Sequence, residues 1–372
     1  MKLKLDNTKT YAIALEGGGA RGAYQVGVWK ALDEAGIRYD AVAGSSVGAL
    51  NGAMMTMHRL AEAEALWKNM RFSQVMNVDD DTMKKLFELR LGEIDFRDLA
   101  RKARSIFKGG GLDITPLKEL LSENVDEDAL RNSDVEFFIA TFCLSDMKEL
   151  YLRARDIEPG AIGDMLLASA YYPAFRNEPL GGKRYIDGGV HDVLPIKPLI
   201  DHGCTDILAI RVFGLGVEKK IEIPENVTVT TIAPNQKLGP MLNFDGELSR
   251  EQFTLGSFDG LRVLYGLAGR KYYLDPTFSE ETAHAHLVDL VRRFELYHDE
   301  PSNLRDLNET VLPALAKKLK CDGGYDDLLL RCLEHMAEEC GMKPFEVMTD
   351  AEFERRVLAL AEEHHAWVGL VL

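Results

Sequence analysis

Residues 11–15 form a short, unbroken apolar run, the pattern of a strand buried on both faces. Residues 23–35 then place Val26, Trp29, Ala31 and Leu32 close to helical spacing, and Gly36 ends that helix. A second apolar run, residues 41–43, leads through Gly44-Ser45-Ser46-Val47-Gly48 into a helix with small residues on its early turns. Strand, helix, strand, helix predicts a parallel pair with a right-handed crossover. Further strands are predicted within residues 136–144, 148–155, 206–213 and 226–234. The long, charged excursion at residues 69–134 has a helical pattern and is expected to shape or cover a site. From about residue 280 onward the pattern is helical only. The expectation is an α/β fold with a mainly parallel sheet flanked by helices, divided into a catalytic domain over residues 1–275 and an all-helical C-terminal region over residues 280–372.

Composition narrows the class. With 372 residues and 46% hydrophobic content the chain can bury a large core. Asp and Glu outnumber Lys and Arg by 60 to 44, and the net charge of -16 argues against nucleic acid as a partner. Five cysteines, Cys143, Cys204, Cys321, Cys332 and Cys340, make no CxxC pair, so reduced thiols are expected rather than disulfides or a zinc site. The opening MKLKLDNTKT has no signal-peptide pattern, and no later run is long and apolar enough to span a membrane, which predicts a cytoplasmic protein.

Two glycine-rich loops carry the candidate chemistry. Gly17-x-Gly19-x-x-Gly22 after the first strand matches a dinucleotide-binding turn, but that reading needs an acidic residue at the end of the second strand. Asp40 stands before that strand, and its carboxyl end holds Gly44-x-Ser46-x-Gly48 instead. Glycine, serine and glycine at a strand-to-helix junction form the pattern of a nucleophile elbow, with the serine held out at a helix N-terminus. Adjacent parallel strands bring both loops to one edge, where the amides of Gly18 and Gly19 are placed to meet the oxyanion formed when Ser46 attacks a carbonyl.

A serine nucleophile needs a base. Of nine histidines only His191 and His202 fall in strand-rich sequence beyond the elbow, and none sits in a tight turn after a strand. Asp187 does, followed by Gly188 and Gly189, although Asp-Gly is also an ordinary turn pair.

Three segments, EGGGARGAYQVGV, AGSSVGALNG and LLASAYYPAFRNEPLGGKRYIDGGVHDVLP, with the less specific TIAPNQKLGPMLNFD, together resemble the patatin-like phospholipase family. The resemblance spans about residues 11–270 and leaves the helical tail unmatched. It implies a Ser-Asp dyad of Ser46 and Asp187, an oxyanion hole at Gly18 and Gly19, and deacylation of glycerolipids through an acyl-serine with no cofactor or metal. Gly17, Gly22, Gly44, Gly48, Gly188 and Gly189 would support these turns, and Arg21 would hold its loop or meet a phosphate. The chain departs from the family at Val193, where asparagine is common two positions before the proline.

The implied partner is a lipid ester substrate. Phe96, Leu99, Ala103, Ile106 and Phe107, flanked by Arg97, Arg101, Lys102, Arg104 and Lys108, form a basic amphipathic helix suited to transient membrane-surface contact, to a lid, or to packing on its own protein. NVDDD at residues 77–81 lacks calcium-loop spacing. The closing HHAWVGLVL suits a docking end or a contact in a homo-oligomer. Against a serine acyl hydrolase stand a small-ester carboxylesterase and a catalytically weak lipid-binding or interaction protein with the same fold.

Overall fold

The computed structural model describes residues 1–88, 111–297, 303–364 and 370. The basic amphipathic segment from Phe96 to Lys108 lies outside these residues, as do His298, His365 and most of the closing nonapeptide. The chain forms two compact units, Asp6–Leu261 and Met1–Leu5 together with Arg262–Leu372.

The larger unit is built on a sheet of β1 (Thr10–Leu15), β2 (Arg38–Ser45), β3 (Glu136–Cys143), β4 (Lys148–Arg153), β5 (Tyr185–Asp187), β6 (Asp206–Ile210) and β7 (Thr228–Ile232). The strand order is β4-β3-β2-β1-β6-β7, with β5 beside β3. β1, β2, β3, β6 and β7 run parallel, whereas β4 and β5 are antiparallel to β3. Alternation along the strands gives the sheet two faces. Ala12, Ala14, Ala41, Ala43, Ile207 and Ala209 pack with Leu199 of the helix Lys197–His202 on one face. On the other face Gly52 brings the helix α2 (Val47–Thr56) onto Val42 and Phe137. This is the mainly parallel, helix-flanked sheet that the pattern predicts.

The register explains how distant residues meet. β2 pairs along β3 as far as Ser45 opposite Ala140, and β5 takes over the same edge of β3 with Asp187 opposite Thr141. β4 occupies the other edge of β3, so β2 and β5 come tip to tip. The residue after β2 is Ser46, and the last residue of β5 is Asp187. β1 ends level with β2, Leu15 opposite Gly44, so the loop that begins at Glu16 leaves the same edge.

The helix Gly246–Tyr265 is not among the elements predicted above, and it carries Gly256 and Gly260, residues of poor helix propensity. They are needed for close packing on the helix α1 (Gly22–Glu34): an added Cβ would stand 2.0 Å from the Tyr24 carbonyl at Gly256 and 2.7 Å from Ala31 Cβ at Gly260.

The smaller unit is predominantly helical, with Leu287, Leu290, Leu315, Leu333, Phe353 and Val357 in one core. It also holds a short strand, Val347–Thr349, paired in parallel with Tyr273–Asp275. The buried Glu334 carboxylate accepts from the amides of Arg270, Lys271 and Tyr272, which fixes that strand's approach.

Candidate active site

The elbow is held by backbone contacts that a side chain would break. Ser46 has φ 55° and ψ -127°, a strained conformation for a residue with a Cβ. A Cβ on Gly44 would lie 2.2 Å from the Gly48 carbonyl oxygen, and one on Gly48 would lie 2.3 Å from that of Leu15. The turn therefore closes only with glycine at both positions. Ser46 is half-buried at the N-terminus of α2, where the helix dipole favours a developing negative charge.

Two bonds fix the serine, and each partner is itself held. Its Oγ donates to Asp187 Oδ2 at 2.5 Å. Its N–H donates to Ser169 Oγ at 2.8 Å, and Ser169 Oγ donates to the Ala140 carbonyl at 2.6 Å. Asp187 Oδ1 accepts from the Gly189 amide at 2.8 Å. Burial pushes the Asp187 carboxyl up to about 6, against the lowering effect of the bonds from Ser46 and Gly189. Gly188 lets that turn approach the Ala140 backbone, where a Cβ would meet the carbonyl oxygen at 2.3 Å.

The first glycine loop packs on the elbow. A Cβ on Gly17 would lie 3.2 Å from Ser46 Cβ, and the Gly17 amide donates to the Val193 carbonyl at 2.8 Å. Gly19 has φ 57°, and a Cβ there would lie 2.3 Å from the Met241 carbonyl oxygen. Among the described residues, no protein acceptor takes the Gly18 or Gly19 amide. Gly22 begins α1 in contact range of Val47 and Trp67.

Arg21 bonds neighbouring backbone: Nε donates to the Gly239 carbonyl, and Nη1 donates to those of Val212 and Phe213. The buried Glu16 works from the other side, accepting from the Val212 and Phe213 amides at 2.6 and 2.8 Å and pairing with Arg211. Asn51 joins the Gly22 carbonyl, Gln25 Oε1 and Trp67 Nε1 beneath it.

Ser169, Glu16 and Asn51 were not singled out from the sequence. Ser169 lies in a segment that did carry the family resemblance, and Glu16 directly precedes the glycine run. Lone polar residues in apolar stretches were the available signal.

The histidines make other contacts. His191 pairs with Glu149, and His202 packs edge-on against Phe138 with centroids 5.4 Å apart. Among the described residues, none bonds Ser46 or Asp187, and no group of three or more His, Cys, Asp or Glu is placed to hold a metal ion. Likewise, no described helix is long and apolar enough to cross a membrane.

Ser46, Asp187 and Gly17 to Gly19 open on one cleft of about 1070 Å³, its mouth included. Its walls are mainly apolar: Leu50 and Met54 of α2, Leu66 and Trp67 of the helix Leu60–Lys68, and Leu117 and Leu121 of the helix Thr115–Asn124. The excursion over residues 69–134 thus supplies part of the wall.

A strained serine at a strand-helix elbow, bonded to a buried aspartate beside an open glycine loop, defines the class of site. The sequence profile of the patatin-like phospholipase family matches residues 13–200, half of the chain, and the chain belongs to that family. It is 56% identical to lysophospholipase nte1 of Aspergillus terreus over 46 residues, 12% of this chain and 3% of that protein. It is 28% identical to human patatin-like phospholipase domain-containing protein 6 over 207 residues, 55% of this chain and 13% of that protein. The chain therefore spans only a small part of these relatives' length. Among solved structures, VipD from Legionella pneumophila aligns over 97% of this chain and 85% of its own, with a TM-score of 0.44 and 12% identity.

Proposed function

We propose that the chain is a serine acyl hydrolase acting on lipid esters, with Ser46 as nucleophile and Asp187 as its base. The observation that carries this reading is the 2.5 Å bond between Ser46 Oγ and the buried Asp187 carboxylate at the mouth of an apolar cleft. Ser46 Oγ attacks the ester carbonyl while its proton passes to Asp187 Oδ2. The amides of Gly18 and Gly19 receive the oxyanion. Collapse of the tetrahedral intermediate breaks the ester C–O bond, and Asp187 returns the proton to the departing alcohol. Water then loses a proton to Asp187 and attacks the acyl-serine, and release of the carboxylic acid returns the proton to Ser46. Nothing in this sequence of steps requires a metal or a cofactor.

The apolar walls favour an acyl chain over a polar substrate, since a small number of polar groups in an apolar cleft orient a mainly apolar ligand. The large unit Asp6–Leu261 is read as the catalytic domain, and the substrate is taken from a lipid surface by transient contact. The test is a lipid digest read by product masses, run beside Ser46→Ala. Free fatty acid released by the parent and not by the variant supports the reading. A folded parent inert on phospholipid, lysophospholipid and short-chain esters would instead favour a lipid-binding protein, and activity confined to short soluble esters a carboxylesterase.

A further inference from the structure

The unit Asp6–Leu261 exposes seven large apolar side chains among its described residues: Leu144, Met147, Val190, Phe213, Leu215, Val217 and Ile223. They are not scattered. Leu144 and Met147 lie in the turn between β3 and β4, at the carboxyl end of β3. Val190 stands three residues after Asp187, and the other four follow β6 in one loop. Contacts join these segments into a rim. The Val217 amide donates to the Gly189 carbonyl, the Val193 amide donates to the Val217 carbonyl, and Lys219 and His191 both reach Glu149 of β4.

We infer that this rim, with Phe213, Leu215 and Val217 at its centre, is a docking surface for the face of a zwitterionic phospholipid bilayer. Three observations choose that occupant. The rim is continuous with the cleft, because Leu215 is 73% exposed and also lines the cavity at Ser46. A lipid moving from the rim to the serine therefore follows apolar surface. The charge is balanced: residues 144–149 and 211–223 carry Lys148, Arg211, Lys219 and Lys220 against Asp146, Glu149, Glu218 and Glu222. On a chain of net charge -16 this face neither repels a phosphate-bearing headgroup nor selects an anionic lipid. Finally, the loop is set before binding. Glu16 and Arg21 hold the backbone of Phe213, and Gly189 and Val193 hold that of Val217, so the side chains project without a further ordering cost.

The inference deepens the proposed function and uses it only for the lipid's onward path, so it is tested without turnover. Full-length Ser46→Ala protein is sedimented with phosphatidylcholine vesicles, alone and with Phe213→Ser and Val217→Ser added. The parent is expected to partition onto the vesicles, equally at low and high salt, and the added changes to weaken partition by about 10-fold or more, as apolar burial is lost. Leu304→Ser with Phe345→Ser, exposed apolar positions of the other unit, should bind like the parent. Phe213→Trp gives a second readout that keeps the rim apolar, and its emission should shift to the blue on adding vesicles. A parent that stays in solution, equal partition of the serine variant, or an unshifted tryptophan overturns the inference. Binding only to anionic vesicles and lost in salt also overturns it, as does a parent dimer that the serine changes dissociate.

Discussion

Ser46 Oγ and Asp187 Oδ2 lie 2.5 Å apart, and the carboxyl that receives the bond is buried and pushed up to about 6. A base can accept a proton only in its ionised form, so activity should track that ionisation. kcat/KM on a soluble ester is expected to be level above about pH 7 and to fall roughly tenfold per unit well below about pH 6. A profile level down to pH 4.5 would contradict the assignment of Asp187 as base.

The same shift makes a statement about stability. The folded-state pKa is raised above the unfolded value, so ionised Asp187 is unfavourable to folding at pH 8, where both states are ionised. That penalty shrinks as pH falls through about 6 and is gone below about 4, where both states are protonated. Asp187→Asn is therefore expected to abolish turnover while its Tm at pH 8 stays at or above the parent's. Thermal melts at pH 8 and pH 5 check the sign, and a large loss of Tm at pH 8 would assign Asp187 a structural role instead.

The Ser169 hydroxyl accepts from the N–H of Ser46 and donates to the Ala140 carbonyl, which on the proposed mechanism makes Ser169 a positioning residue. Ser169→Ala leaves that half-buried amide without its partner, a loss of about 1 kcal/mol, and loosens a strained turn. The expected result is a kcat lowered about 10-fold or more with KM little changed. Equal kcat for the variant, or a rise in KM alone, would remove Ser169 from the account.

Gly19→Ala tests the glycine loop. The new methyl would have to adopt φ 57° and would collide with the Met241 carbonyl, displacing the amides of Gly18 and Gly19. Loss of one oxyanion donor costs about 10²–10³ in kcat, and a fall of that order is expected here with a fold intact by circular dichroism. Wild-type kcat in the variant would place the oxyanion elsewhere.

If the substrate is a lipid ester as proposed, the cleft wall should set the acyl chain length it accepts. Met54 lies two helical turns beyond Ser46 on α2, and Met54→Trp should shorten the space available. Each methylene in such a pocket is worth about 1–3 kcal/mol, so the long-to-short chain preference is expected to drop about 10-fold or more. An unchanged ratio across a series of p-nitrophenyl esters would mean that the acyl chain lies elsewhere.

Much of this was readable in the chain. The β1 and β2 runs, their two glycine loops and Asp187 at the end of β5 are local signals: apolar runs, obligatory glycines and a turn aspartate. The strand-helix pattern places the two glycine loops at one edge but does not bring Asp187 to Ser46, which only the family resemblance pairs. That Asp187 meets Ser46 depends on β5 taking over the edge of β3 where β2 stops, a pairing between residues 141 positions apart. Ser169 and Glu16 escaped for the same reason, because each gains its meaning from backbone groups distant in sequence. The helix Gly246–Tyr265 is not among the predicted elements, and its Gly256 and Gly260 serve close packing on α1.

The central claim is that Ser46 is the nucleophile and Asp187 activates it. Its most direct test is peptide mapping of the adduct formed by a fluorophosphonate probe, compared between the parent and Asp187→Asn at pH 8. The account predicts a single adduct on Ser46 in the parent and a labelling rate lowered at least about 10²-fold in the variant. A folded parent that takes no label, an adduct on another residue, or equal labelling of the two proteins would contradict it.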